Sequence, residues 1–161
     1  MSTLNLTPEP ERAEIVADDH ELLSRAKGGA NWFYWIAALS VVNSLIFHFG
    51  GNMSFFAGLG VTQLADAMVF QLSPDEGLGI LKIIGFAFDL IVAGIFLLCG
   101  LWANRLQSWA FLVGMILYLL DGLLLLVIGV YLPGILLPAA FHAFALFMIF
   151  RGFSAARQLK A

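Results

Sequence analysis

The chain has 161 residues, of which 61% are hydrophobic and 12% are charged, and its mean hydropathy is +0.92. A water-soluble domain is about one quarter charged, so this composition indicates a membrane protein. At about 20 residues for each membrane span, the length leaves room for four or five helices and excludes a second, soluble catalytic domain. The Lys and Arg residues are scattered, so we expect no nucleic-acid partner.

The N-terminal segment, residues 1–28, is acidic. Its six Asp and Glu against three Lys and Arg account for the whole net charge of −3. Four apolar residues at near-helical spacing predict a short amphipathic helix there, at the cytoplasmic surface: Ile15, Leu22, Leu23 and Ala26. Anionic lipid should repel its acidic face, so we expect this segment to contact a protein.

The first membrane span is predicted at residues 31–49, because no formal charge occurs between Lys27 and Asp66. In the segment 52–72 that follows, apolar and polar residues alternate at roughly helical spacing. It is too polar for lipid and too apolar for an ordinary loop. We therefore predict an outer interfacial helix, or a partly re-entrant one, that covers the outer face of the protein.

Three further spans are predicted at residues 79–103, 107–130 and 134–150, the first preceded by a helix-capping sequence at 73–76. A tight turn at 131–134 makes the last two spans antiparallel neighbours. The predicted fold is an all-α integral membrane protein, with a four-transmembrane-helix bundle in a membrane domain at 29–154 and a basic tail at 155–161.

The distribution of Lys and Arg predicts the orientation of the bundle. One side of a four-span arrangement carries six of these residues near the membrane ends, namely Arg25, Lys27, Arg105, Arg151, Arg157 and Lys160. The other side carries Lys82. By the positive-inside rule, both termini are cytoplasmic, in a plasma membrane that in a bacterium would be the inner membrane.

Polar side chains at membrane depth are the candidate functional residues, because an ionisable group there costs about 2.5–3.5 kcal/mol and usually faces a bundle interior. A helical rise of about 1.5 Å per residue puts one polar residue from each span into a single layer. The candidates for binding or a proton pathway are Asn43, His48, Asp89, Tyr118, Asp121 and His142. In this interpretation Asp121 and His142 are direct partners, and His48 lies above the layer near the outer mouth.

Three functions are open at this point. The first is a non-enzymatic accessory or scaffold protein, in which the layer is a structural clasp and the partner is a membrane protein or a second copy of the chain. The second is a small proton-coupled carrier or channel that uses Asp89, Asp121 and His142. The third is an intramembrane metal-binding protein with the same three ligands. We expect no catalytic residue and no cofactor. We also expect no metal, because no pair of ligands at i, i+3 or i, i+4 occurs among Asp89, Asp121 and His142.

Overall fold

The computed structural model describes residues 9–49, 59–72, 79–129 and 135–160, and these ranges are helical apart from short turns. The helices are α1 (Glu9–His48), α2 (Gly60–Leu72), α3 (Ile80–Asn104), α4 (Ser108–Gly129) and α5 (Leu136–Gln158). All of them except α2 are long and apolar enough to cross a membrane. The predicted all-α fold with four candidate spans is therefore confirmed. The predicted turn at 131–134, the capping sequence at 73–76 and most of 52–59 lie outside the described residues.

The first helix is longer than the sequence predicts. It runs for 40 residues without a break, so the expected short helix in the N-terminal tail is not a separate element but the first part of α1. The change of composition from charged to apolar predicts a boundary within this helix. Backbone hydrogen bonding does not require a break there, because a helix is satisfied internally both in water and in lipid.

The four long helices form a closed bundle. α1 and α4 each pack against both α3 and α5, and α2 packs against α1, α3 and α4. The N-terminal half of α1 contacts the C-terminal half of α5, where Ala26 and Gly29 approach Gly152. Both ends of the described chain consequently lie at the same end of the bundle, and α2 is associated with the opposite end.

Two glycines bring α1 and α5 into backbone contact. A Cβ added to Gly29 would lie 2.6 Å from the Cα of Gly152, and a Cβ added to Gly152 would lie 2.6 Å from the Cα of Gly29. Such small residues are typical of helix contacts in lipid, where association depends on close packing. Toward the middle of the bundle, the buried ring of Phe33 fills the space beside Gly114 and contacts Phe111.

Large apolar side chains cover the outside of the bundle, as Ile91 on α3, Val127 on α4 and Phe147 on α5 illustrate. The buried faces hold small residues, aromatic rings and most of the polar groups. Soluble monomers rarely expose extended apolar surface. Together with the four apolar helices, this distribution indicates a multi-pass membrane protein.

Replacing Gly29 by Ala should separate α1 and α5, because the new methyl group would meet the backbone of Gly152, which cannot rotate away. We expect the free energy of unfolding to fall by about 1–3 kcal/mol, as in other overpacked sites. Thermal unfolding in detergent micelles measures the change.

Gly28→Ala is the matched control, since nothing lies within 4 Å of a Cβ at that position. Alanine favours a helix over glycine by about 1 kcal/mol, so this variant should be as stable as the wild type or more so. Equal melting temperatures for the two variants would contradict the close contact between α1 and α5.

Candidate functional site

The buried polar residues form two clusters. The first, called here the clasp cluster, consists of Tyr118, Asp121, His142 and the N-terminal turn of α2. The second, the acid-pair cluster, consists of Ser44, His48, Asp66 and Asp89. Asn43 is buried on α1 beside Ser44.

In the clasp cluster, Asp121 binds both α5 and α2. Its Oδ2 lies 3.0 Å from Nε2 of His142 and accepts a hydrogen bond of 2.8 Å from the backbone N–H of Gly60. Its Oδ1 accepts a second backbone hydrogen bond, of 2.8 Å, from Val61. Because the first N–H groups of a helix have no acceptor within the helix and carry its positive dipole end, a carboxylate is the favoured partner there.

The hydrogen-bond donors and acceptors of the clasp cluster indicate where its protons lie. Nδ1 of His142 lies 3.0 Å from the carbonyl oxygen of Pro138, which can only accept, so Nδ1 carries a proton. The contact between Nε2 and the carboxyl group of Asp121 needs one further proton. The pair is therefore neutral overall, as an imidazolium and a carboxylate, and its two charges are matched.

The aromatic ring of Tyr118 covers this pair. It stacks on the imidazole of His142 with ring centroids 4.5 Å apart and an interplanar angle of 8°. Tyr118 is fully buried, and its hydroxyl group has no hydrogen-bond partner among the described residues. A ring stacked in this way shields the imidazolium from solvent and stabilises its positive charge.

The first turn of α2 lies within the bundle. The backbone N–H of Leu59 donates a hydrogen bond of 3.0 Å to Oγ of Ser40 on α1. Ser40 and Asp121 each lie eight residues before the last residue of their helix, which is about 12 Å from the helix end. A helix lying flat across the end of the bundle could not make these contacts, so they do not support the interfacial position expected for this part of α2.

In the acid-pair cluster, two buried carboxyl groups lie on either side of Ser44 and His48: Asp89 accepts from the Ser44 hydroxyl, and Asp66 lies 3.8 Å from the His48 ring. Asp66 is 2% exposed and Asp89 is 1% exposed. Oδ2 of Asp89 accepts a hydrogen bond of 2.7 Å from the hydroxyl of Ser44. No N–H or O–H group of the described residues donates to the other three carboxyl oxygens. Burial, and after it the neighbouring Asp89, raises the pKa of Asp66 to about 7, while His48 acts in the opposite direction.

The imidazole of His48 supplies a positive charge beside these acids. Nδ1 lies 2.9 Å from the carbonyl oxygen of Ser44, and Nε2 lies 2.9 Å from that of Lys82. Both carbonyl groups can only accept, so both contacts are hydrogen bonds when the ring is an imidazolium. Nδ1 is also 3.8 Å from Oδ1 of Asp66.

The structure brings together only some of the predicted residues. Asp121, His142 and Tyr118 are in contact, whereas Asp89 belongs with His48 in the other cluster. The ligands considered for a metal are thus divided, and the described residues contain no group of three or more His, Cys, Asp or Glu side chains suited to a metal ion.

Sequence reasoning missed Asp66. In the sequence, Asp66 is one polar position on an amphipathic helix. The predicted depth of the segment 52–72 gives no reason to place it beside Asp89. One available signal was that Asp66 is the first formal charge after Lys27 in an otherwise apolar region. The contribution of the backbone N–H groups of Gly60 and Val61 has no signature in the amino-acid sequence.

Comparisons of the chain with protein-family models, with curated proteins and with solved structures find no match. The two clusters and the surface of the molecule are thus the basis on which a function can be proposed.

Asp121→Leu and His142→Leu should each destabilise the protein and should be strongly coupled. Removing one partner leaves the other charge buried without compensation, which in proteins costs about 3–5 kcal/mol. Interhelical hydrogen bonds in membranes couple by about 0.6 kcal/mol on average. We expect a larger value here, because the pair is buried and each single variant leaves an unpaired ionisable partner, which the double variant does not.

A double-mutant cycle of unfolding free energies in micelles measures this coupling. Asp121→Leu combined with Gly28→Ala is the control, and these distant changes should be additive. Additivity in the Asp121 and His142 cycle would contradict the clasp.

Stability should also depend on pH through Asp66. Its pKa is 3.8 when unperturbed and about 7 in the folded protein, so the folded state binds the additional proton between these values. Stability from this group is therefore lost as the pH rises from about 4 to about 7. Melting temperatures from pH 5 to pH 8 should fall in the wild type and should fall less in Asp66→Asn.

Asp19→Asn is the control for this series, because Asp19 is exposed on α1 and lies far from the cluster. It should retain the profile of the wild type. If Asp66→Asn retains that profile too, Asp66 does not cause the dependence.

Proposed function

We propose that the chain is a non-enzymatic accessory or scaffold protein of a membrane, which binds a protein partner through the start of α1. The observation that carries this proposal is an exposed helical arm, defined as residues 12–25. Every side chain from Arg12 to Glu21 is exposed. The arm continues directly into an apolar helix, so a partner bound to it would be held in a fixed position relative to the membrane.

The chemistry of the arm favours a protein over lipid. It contains four Asp and Glu against two Lys and Arg, and the anionic lipids of a cytoplasmic surface would repel this excess of negative charge. Two apolar residues, Ile15 and Val16, are about half exposed beside these acids. A basic protein surface with an apolar contact area is the complementary partner.

The length of α1 agrees with a projecting arm. At about 1.5 Å per residue, 40 residues measure about 60 Å, against about 30 Å for the hydrocarbon core. The Lys and Arg distribution supports an arm on the cytoplasmic side, with both termini there. On this topology α2 enters from the outer side as a re-entrant helix, which its capped N-terminal turn supports.

The clasp cluster supports a structural role for Asp121 and His142. Both carboxylate oxygens and both ring nitrogens are engaged in the contacts that join α2, α4 and α5. A general acid or base needs a reacting group within hydrogen-bonding reach. Here the neighbours are backbone groups and the ring of Tyr118, so the pair serves to hold α2 in the bundle.

A proton-coupled carrier is the second candidate. The observation that favours it is the acid-pair cluster, because buried carboxyl groups with nearby His are characteristic of proton pathways in membranes. Proton flux into proteoliposomes made with the purified protein tests this function. Flux that Asp66→Asn abolishes would support it, and absence of flux in the wild type would reject it.

For the accessory function, the protein should be purified from its native membrane in mild detergent together with a stoichiometric partner. The double variant Asp18→Asn, Asp19→Asn should lose the partner, because it weakens the attraction between the arm and a basic surface. Mass measurement of the purified complex gives the result.

The double variant Gln107→Lys, Gln158→Lys is the matched control. It changes the net charge by the same amount, at exposed positions outside the arm, and should retain the partner. A wild-type protein that is isolated as a monomer without a partner would overturn the proposal.

A further inference from the structure

We propose that Asp66 and Asp89 form a proton-binding site, in which one exchangeable proton is shared between the two carboxyl groups. The site joins α2 to α3, and the accessory function assigns it no role. It is also separate from the clasp cluster, in which the carboxyl group of Asp121 and both ring nitrogens of His142 already have partners.

The unfilled acceptors of the two carboxyl groups point to this ligand. Three of their four oxygens receive no hydrogen bond from the described residues, and both side chains are almost completely buried. Two carboxylates facing each other in such a place repel and lack solvation, so that one of them binds a proton. A proton between them provides the missing donor and removes one of the two negative charges.

A metal ion fits this site less well. Calcium and magnesium require about six or more oxygen ligands. Asp66, Asp89 and the hydroxyl of Ser44 offer fewer, and that hydroxyl already donates its proton to Asp89. The described residues also contain no group of three or more potential ligand side chains arranged for a metal.

The balance of charge also supports one proton for the two acids. The charged groups on the elements around Asp66 are His48 from α1, Asp89 and Lys82 from α3, and Asp121 from α4. Asp121 is neutralised within its own cluster by His142. The Lys82 side chain is partly exposed and lines a groove at the surface, whereas the ring of His48 lies 3.8 Å from Asp66. With one shared proton, the acid pair has a charge of −1, which the imidazolium of His48 balances. Loss of the proton would leave two negative charges against that one positive charge.

A surface groove lies beside His48. It has a volume of about 390 Å³ and is lined by Leu45, His48, Phe49, Lys82, Ile83 and Phe86. His48 is partly exposed, and one face of its ring contacts the aromatic side chain of Phe86. The imidazole therefore lies between the groove and Asp66. There it can give one proton to Asp66 and take up one proton from the groove, which restores its own charge.

Proton binding would control how firmly α2 is held. Asp66 lies in the middle of α2, whereas Asp121 holds its N-terminal turn. The shared proton is a bond between α2 and α3, and its loss replaces that bond by repulsion. The clasp does not depend on this proton, so α2 would loosen from its middle toward its C-terminal end.

Infrared difference spectroscopy of the full-length protein in lipid or detergent tests the site. The wild type should show the carbonyl stretch of one protonated carboxyl group near neutral pH, which shifts in D₂O and disappears as the pH is raised. Asp66→Asn and Asp89→Asn should each lack it. Asp19→Asn is the control and should retain it, because Asp19 is exposed on α1 and belongs to neither cluster.

A second variant tests the site without removing either acid. Ser44→Ala deletes the hydrogen bond that stabilises the ionised form of Asp89. The carboxyl band should then persist to a pH about one unit higher, the equivalent of one hydrogen bond to a charged group.

Three outcomes would overturn the proposal. They are the absence of a protonated carboxyl band at pH 6, a band that survives in both Asn variants, and a band that sodium chloride abolishes at constant pH and ionic strength. The last result would show that a cation, rather than a proton, occupies the pair.

Discussion

The structure depends on the burial of a helix N-terminus. The first backbone N–H groups of any helix need acceptors from outside it, and inside a membrane protein water cannot supply them. Here Asp121 accepts from Gly60 and Val61, and Ser40 accepts from Leu59. An acidic residue in the middle of an apolar helix is costly by itself. In this position Asp121 is stabilised by the dipole of α2 and by the imidazolium of His142. The buried acid and the buried helix N-terminus, each costly by itself, therefore compensate each other.

The same requirement explains why the polar groups are divided between two clusters. Charges in a medium of low dielectric constant must be balanced locally, because uncompensated charge there is expensive. Asp121 and His142 achieve this as an ion pair. Asp66, Asp89 and His48 contain two acids for one base, so they achieve it only when one acid is protonated. The first cluster is therefore neutral without any exchange of protons, whereas the second depends on proton concentration.

The sequence is sufficient to predict the helices. It also predicts which polar side chains pair, where both lie on membrane spans along which depth can be counted. Charge-free stretches define the four long helices, and a constant rise per residue is enough to bring Asp121 and His142 to the same level. These inferences rest on regular geometry. The cluster to which Asp89 belongs is harder to predict, because the depth of a residue in the membrane does not show which face of its helix it occupies.

The location of α2 could not be derived in this way. Its composition is compatible with a helix on the surface, and what draws its N-terminal turn into the bundle is a set of backbone N–H groups that are present in every sequence. Gly60 is a partial exception, since a Cβ there would lie 3.1 Å from Cβ of Leu125. Without the position of α2, Asp66 could not be paired with Asp89.

The two clusters hold α2 at two points with different properties. The N-terminal turn is fixed by two backbone hydrogen bonds to the carboxyl group of Asp121, which is paired with His142. The middle of the helix is fixed by a carboxyl pair that can lose its proton through His48 and the groove beside it. When the proton is lost, α2 is held only at its N-terminal turn, and it can move about that turn. A change driven by this proton therefore begins in the middle and C-terminal part of α2 and leaves the clasp cluster in place.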